Sequence, residues 1–152
     1  MFTSFKNKGL IALLVAMLLP AIMLLVPSTA YSQTVGSKTE AATKAVIADQ
    51  LDAFQRRDYD RAFSHAAPTI QKIFKTTENF IRMVKGGYNV LYDPDNYIFG
   101  RNFDLDGTIH QEVIATEKNG KQWQAIYTLK QMPDGSWKIT GVKMNPYKGA
   151  AT

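Results

Sequence analysis

The feature that most constrains the fold is a run of alternating apolar and polar residues set between two tight-turn sequences. Residues 123–129 have the period of a β-strand with one buried face. Its apolar positions are Trp123, Ala125, Tyr127 and Leu129. Asn119-Gly120 and Asp134-Gly135 flank the run and favour the positive φ angles of hairpin turns. The stretch from Thr108 to Met144 therefore predicts three antiparallel strands joined by two hairpins.

An antiparallel sheet with one apolar face needs a cover, and the upstream sequence predicts helices that can provide it. The last strand of the meander is expected to place Trp137, Ile139 and Gly141 on one side. A further strand, Tyr97–Phe103, is predicted just before the meander. Because the helices precede the strands, the pattern indicates an α+β fold in which N-terminal helices cover an antiparallel sheet, rather than a parallel βαβ fold.

The first predicted helix runs from Thr39 to Arg57. Ile47, Leu51 and Phe54 form its inward stripe, and a capping box over residues 37–40 is expected to begin it.

Three shorter helices are expected to follow. Asp58 caps the second helix, and Pro68 opens the third, with Ile70, Ile73 and Phe74 inward. Thr76 or Thr77 caps the fourth, which ends at Gly86-Gly87 in the left-handed conformation that glycine adopts readily. Residues 88–92 are expected to be extended.

Residues 1–30 have the features of a secretory signal peptide. Two lysines precede an apolar run over residues 10–26, and small residues follow, so cleavage is expected after Ala30 or after Ser32. The alternative is an uncleaved anchor over residues 10–26, which is short for a spanning helix and contains Pro20. Either way, the following residues are expected to be exported, to the periplasm or the cell exterior, or held at the inner membrane.

The remaining chain is expected to form a linker over residues 31–38, one domain over residues 39–147 and a tail over residues 148–152. The absence of cysteine excludes a thiol nucleophile, a cysteine–zinc site and disulfides. The 18 basic and 13 acidic residues are interspersed rather than grouped. This favours a solvated surface over a nucleic-acid interface.

Several segments resemble a known superfamily. Residues 45–54 followed by Asp58–Phe63, and the closing run Asp134–Ile139, resemble nuclear-transport-factor-2-like domains. More narrowly, the residues from Ala66 to Gln71, Phe80 to Tyr88 and Trp123 to Trp137 resemble the uncharacterised bacterial family called domain of unknown function 4864. The resemblance implies a cone, with helices filling the concave side of a strongly curved sheet. The superfamily includes enzymes, ligand binders and dimerisation modules, so the fold alone does not decide the function.

A cone of this kind predicts a ligand pocket at its mouth, with apolar walls and a few polar tips. The candidate pocket residues are aromatic: Phe54, Phe63, Tyr88, Tyr92, Trp123 and Tyr127. The preferred function is non-enzymatic binding of a small apolar molecule or a protein partner, with no cofactor, metal or nucleic acid. The alternatives are an acid–base enzyme that uses an Asp or Tyr in the cavity, and a structural homodimerisation module. Contact with a membrane is expected only through an uncleaved leader.

Ionisable motifs give weak support for catalysis or metal binding. Three Asp-x-Asp pairs begin at Asp58, Asp93 and Asp104, each at a predicted turn or helix start, where Asp favours local hydrogen bonds. The third pair matches half of a calcium loop but lacks its closing Glu. His65 and His110 show no metal-ligand spacing, and every acidic residue can be placed on a turn or a polar face.

Overall fold

The computed structural model describes residues 35–147 and Gly149. In this part of the chain, five helices precede four strands. They are α1 (Ser37–Arg56), α2 (Tyr59–Ser64), α3 (Pro68–Phe74), α4 (Thr77–Gly87), α5 (Asn89–Tyr92), β1 (Asn96–Leu105), β2 (Thr108–Thr116), β3 (Gln122–Gln131) and β4 (Trp137–Pro146). The predicted leader and nearly all of the predicted tail lie outside the described residues. None of the helices described is both long enough and apolar enough to span a membrane.

The predicted meander is confirmed, with β1 as its fourth strand. The strands pair antiparallel in the order β1-β2-β3-β4. Gly107, Gly120 and Gly135 in the three connecting turns have φ angles of 75°, 84° and 84°. Such angles are strained for a residue that carries a Cβ, which explains glycine at these turns.

A register shift changes the inward face of β4. Leu129 pairs with Ile139, but the neighbouring Thr128 pairs with Gly141, so β4 carries one extra residue at this point. The expectation that Gly141 continues the inward alternation is therefore wrong. Val142 is the next β4 side chain to pack on the core. A bulge of this kind is not visible in a strict two-residue period.

The α+β architecture is confirmed, because the helices pack on one face of the sheet. Ile47, Leu51 and Phe54 of α1 are buried, as the helical stripe predicts. They share the core with the inward β3 residues Ala125, Tyr127 and Leu129, while Trp123 is partly buried against it.

Three predicted helix starts are confirmed, at Asp58, Pro68 and Thr76, and one is wrong. The carboxylate of Asp58 accepts a hydrogen bond from the Arg61 backbone N–H, and the Thr76 hydroxyl accepts one from Asn79. The capping box at α1 does not form. Gly36 is the N-cap without a side-chain hydrogen bond, and the Glu40 carboxylate pairs with Lys44 instead.

Three other local expectations fail. Residues 89–92 form α5 rather than extended chain, which buries Val90 and Leu91 together. α4 does end at Gly87, but neither of its two glycines has a positive φ angle. The side chain of Ile73 is 71% exposed rather than inward. Val90 and Leu91 join the core, so at α5 tertiary packing overrides the local preference.

The connection between α2 and α3 is anchored to β4. Ala66 forms a parallel bridge with Ile139. The Ile139 backbone N–H donates to the His65 carbonyl at 2.9 Å, and the Ala67 N–H donates to the Ile139 carbonyl at 2.7 Å. These bonds hold α3 beside the last strand and leave a space between the short helices and the sheet.

Candidate functional site

The space enclosed by the helices and the concave face of the sheet is a cavity of about 370 Å³. Helices α1, α3, α4 and α5 supply most of its walls, together with the α2–α3 connection and the junction of α4 and α5. Strands β3 and β4 supply the rest. The lining residues are Gln50, Phe54, Ala66, Ile70, Phe74, Phe80, Met83, Val84, Tyr88, Leu91, Tyr127, Ile139, Gly141 and Val142. None of the lining side chains is an Asp, Glu, His, Lys or Arg.

Phe80 of α4 is the centre of a cluster of four aromatic rings, three of which line the cavity. Its ring centroid lies 6.2 Å from that of Phe54, 4.9 Å from that of Phe63 and 5.8 Å from that of Phe74. These separations are typical of packed aromatic pairs. Because the four rings come from four different helices, they fix the relative positions of the short helices.

Three polar side chains reach the cavity. The Tyr88 hydroxyl donates to the Val142 carbonyl at 3.3 Å, and Gln50 Nε2 donates to the Ala62 carbonyl at 3.1 Å. Complete burial, reinforced by the neighbouring Tyr97, raises the pKa of the Tyr127 phenol far above its usual value. Tyr127 is therefore neutral throughout the physiological pH range.

The six predicted pocket residues fall into two groups. Phe54, Tyr88 and Tyr127 line the cavity, but Phe63, Tyr92 and Trp123 do not. Ligand contact by any of the six stays a prediction.

The three aromatic residues outside the lining have other neighbours. Phe63 packs on Phe80, and Tyr92 packs on Phe54. Trp123 Nε1 donates to the Glu117 carboxylate at 2.7 Å.

Sequence reasoning missed Gln50, a buried amide side chain on the cavity wall. It lies three residues after Ile47 and four before Phe54, on the same helical face, and is only 4% exposed. That spacing was the available signal. An amide at an inward position needs a partner, and Ala62 supplies one.

The ionisable candidates lie outside the cavity lining. The Asp60 carboxylate accepts from the Thr77 hydroxyl at 2.7 Å, and Asp93 pairs with Lys118. Asp104 accepts from the Gly107 N–H at 2.8 Å within the β1–β2 turn. His110 stacks on Phe103. The described residues contain no group of three or more metal-ligating side chains.

Asp49 is the centre of a charged cluster on the other face of α1. Its carboxylate accepts hydrogen bonds from Arg61 Nε, at 2.8 and 2.9 Å, and from His65 Nε2. Burial alone would raise the pKa of Asp49, but these two partners hold it below the usual value. With Asp52 and Tyr97, Asp49 lines a second and more open depression.

Glu112 corrects the expectation that all acidic residues lie on turns or polar surfaces. It is 9% exposed, on the face of the sheet opposite the cavity. Burial would raise its pKa, but hydrogen bonds from Gln124 and from the Arg101 backbone N–H, with the Arg101 guanidinium nearby, hold the pKa below its usual value. The carboxylate is therefore ionised at neutral pH.

Comparison with known proteins identifies the family but no activity. One similar solved structure is an NTF-2-like protein of unknown function from Silicibacter pomeroyi DSS-3. It is 16% identical, and the match covers 75% of this chain and 100% of that chain, with a TM-score of 0.49. No match was found among curated proteins. The model of the family described as "Domain of unknown function (DUF4864)" matches residues 37–152. The chain therefore belongs to this family.

Proposed function

We propose that the domain binds a small, mostly apolar molecule in the cavity between its helices and its sheet. The observation that carries this proposal is the wall of the cavity, whose 14 residues are uncharged and mostly aliphatic or aromatic. Its volume of about 370 Å³ lies within the usual range for small-molecule sites. Burying an apolar ligand against such a wall is favourable, and the few polar groups of the wall can orient the ligand.

The character of the wall supports binding more than proton transfer. An acid–base enzyme needs an ionisable group whose pKa lies near the working pH. The ionisable side chains on this wall are the phenols of Tyr88 and Tyr127. Burial moves the pKa of Tyr127 upward, away from neutrality.

The test is binding of N-phenyl-1-naphthylamine, a neutral dye that fluoresces in apolar sites, to the full-length chain. Met83 is a partly buried residue of α4 that lines the cavity, so Met83→Trp places an indole in the binding space. We expect this variant to bind the dye about tenfold more weakly, because the indole takes up volume that the dye would otherwise fill.

Ile73→Trp is the matched control. Ile73 is an exposed residue of α3 outside the cavity lining, and the change also introduces one tryptophan. Its affinity for the dye should stay within about twofold of the original, as expected for surface changes. Equal affinities of the two variants, or no dye binding by the original chain, would count against the cavity as a ligand site.

We further propose that the domain is exported. Support comes from the sequence of residues 1–30, with its lysines, apolar run and small residues before Ala30. N-terminal sequencing of the expressed protein tests the proposal. A new N-terminus after Ala30 or Ser32 supports a cleaved leader, whereas an intact Met1 in a cytoplasmic fraction contradicts export.

A further inference from the structure

We propose that Gln50 selects the ligand, and that the ligand is a neutral apolar molecule with one hydrogen-bond donor, such as an alcohol, a phenol or an N–H group. This inference rests on the proposed function, because it names the class of molecule that the same cavity would take.

The position of Gln50 determines which of its amide atoms a ligand can use. Gln50 is only 4% exposed, and it borders the cavity. Nε2 donates to the Ala62 carbonyl at 3.1 Å, which fixes the orientation of the amide. Within the described residues, no donor reaches Gln50 Oε1. An amide oxygen has two lone pairs, so Oε1 is an acceptor that a ligand can satisfy.

The absence of charge on the cavity wall narrows the class of ligand further. The Tyr88 hydroxyl already donates to the Val142 carbonyl. Because the lining contains no charged side chain, an anionic or cationic ligand would lose its hydration without gaining a counter-charge. A neutral ligand avoids this cost. A hydroxyl or N–H group on such a ligand would donate a hydrogen bond to Oε1 of Gln50.

Gln50 could instead serve only to join α1 to α2 through the carbonyl of Ala62. In that role it would affect stability but not the choice between ligands. The experiment must therefore measure selectivity between matched ligands, which a purely structural role leaves unchanged.

The first measurement compares 2-naphthol, 2-methoxynaphthalene and 2-naphthoate by calorimetry on the full-length chain. The ether lacks the donor and is more apolar, so a featureless apolar cavity would prefer it. We expect 2-naphthol to bind about five- to tenfold more tightly than the ether, as one hydrogen bond provides. The charged naphthoate should bind most weakly. An ether that binds as tightly as naphthol overturns the proposal.

The second measurement uses Gln50→Met, which keeps an unbranched side chain of similar length and removes the amide oxygen. Naphthol should lose its advantage, while the ether keeps its affinity within about twofold, as apolar contact is retained. Gln55→Met is the matched control. It makes the same change on α1 at a residue outside the cavity lining, and it should retain the preference. A Gln50→Met variant that still prefers naphthol contradicts the proposal.

If Gln50→Met does not fold, indole and N-methylindole repeat the comparison on the unmodified chain with an N–H donor. Indole should bind more tightly, and equal affinities would overturn the assignment. Failure of this inference is distinct from failure of the proposed function. Binding that Met83→Trp weakens but that shows no preference for donors rejects only the role of Gln50.

Discussion

Replacing Gly100 with alanine should destabilise the protein through a contact on the face of the sheet opposite the cavity. Gly100 lies in β1 where the register with β2 shifts. A Cβ built on Gly100 would lie 2.3 Å from Glu112 Oε2, 2.9 Å from Glu112 Cδ and 3.0 Å from Glu112 Cγ. Glycine is therefore needed here for space rather than for an unusual φ angle.

The cost depends on what holds the carboxylate of Glu112 in place. It accepts hydrogen bonds from the Arg101 N–H at 3.1 Å and from Gln124 Nε2, and it is mostly buried. Moving it away from a new methyl group would weaken bonds worth about 1.5–3 kcal/mol each. Against this, alanine lowers the entropy of the unfolded chain, which stabilises by about 0.4–1 kcal/mol. Loss of one of these bonds, offset by the entropic gain, gives an expected net loss of about 0.5–2.5 kcal/mol.

Urea denaturation of the full-length variants measures this loss as a lower midpoint with an unchanged slope. Gly86→Ala is the matched control. A Cβ at this α4 position would meet no heavy atom within 4 Å. Because alanine is the better helix former, this variant should be as stable as the original or gain up to about 1 kcal/mol.

A double-mutant cycle identifies the physical cause. Glu112→Ala removes the group that the new methyl would meet, so Gly100→Ala should cost little or nothing in that background. A loss of the same size in both backgrounds would refute the steric argument. So would a Gly100→Ala variant as stable as the original.

Acid should destabilise the fold below about pH 4.5, because the folded-state pKa values of Asp49 and Glu112 lie below their unfolded values. The stability that these two carboxylates contribute is present above the unfolded pKa and is lost as the pH falls through the folded pKa. In urea denaturation over this pH range, the free energy of unfolding of Glu112→Gln should fall less steeply than that of the original protein. The pKa of the Tyr59 phenol is lowered mainly by its hydrogen bond with Tyr92, and to a smaller extent by the charge of Lys85. Tyr92→Phe removes this hydrogen bond and should therefore raise the pKa of Tyr59. Ultraviolet titration measures this, and an unchanged pKa would contradict it.

The sequence was most informative where a regular period coincided with an unambiguous turn. The alternation over residues 123–129 and the hairpin glycines placed β3 and its neighbours correctly. The stripe of Ile47, Leu51 and Phe54 identified the inward face of α1. Each of these signals is a local pattern that the final fold preserves.

Side-chain placement was less accessible, because it depends on partners that are distant in sequence. Gln124 looks like a surface residue of β3, yet its amide donates a hydrogen bond to Glu112 on the neighbouring strand β2. Gln50 looks like an interruption of an apolar stripe, yet its amide joins α1 to α2 and borders the cavity. Phe63 and Tyr92 are aromatic like the residues that line the cavity, but they lie outside its lining. Phe63 packs on Phe80, and Tyr92 packs on Phe54.

The sequence by itself determined that helices precede strands, the buried faces of α1 and β3, and the resemblance to a family. These follow from periods and turns that act over a few residues. Only the tertiary structure decided which aromatic residues surround a cavity and which amide faces it. The β3–β4 register shift moves the inward face of β4 from Gly141 to Val142, and the α2–α3 connection is held against Ile139. Both depend on pairing between segments far apart in the chain, which no local pattern specifies.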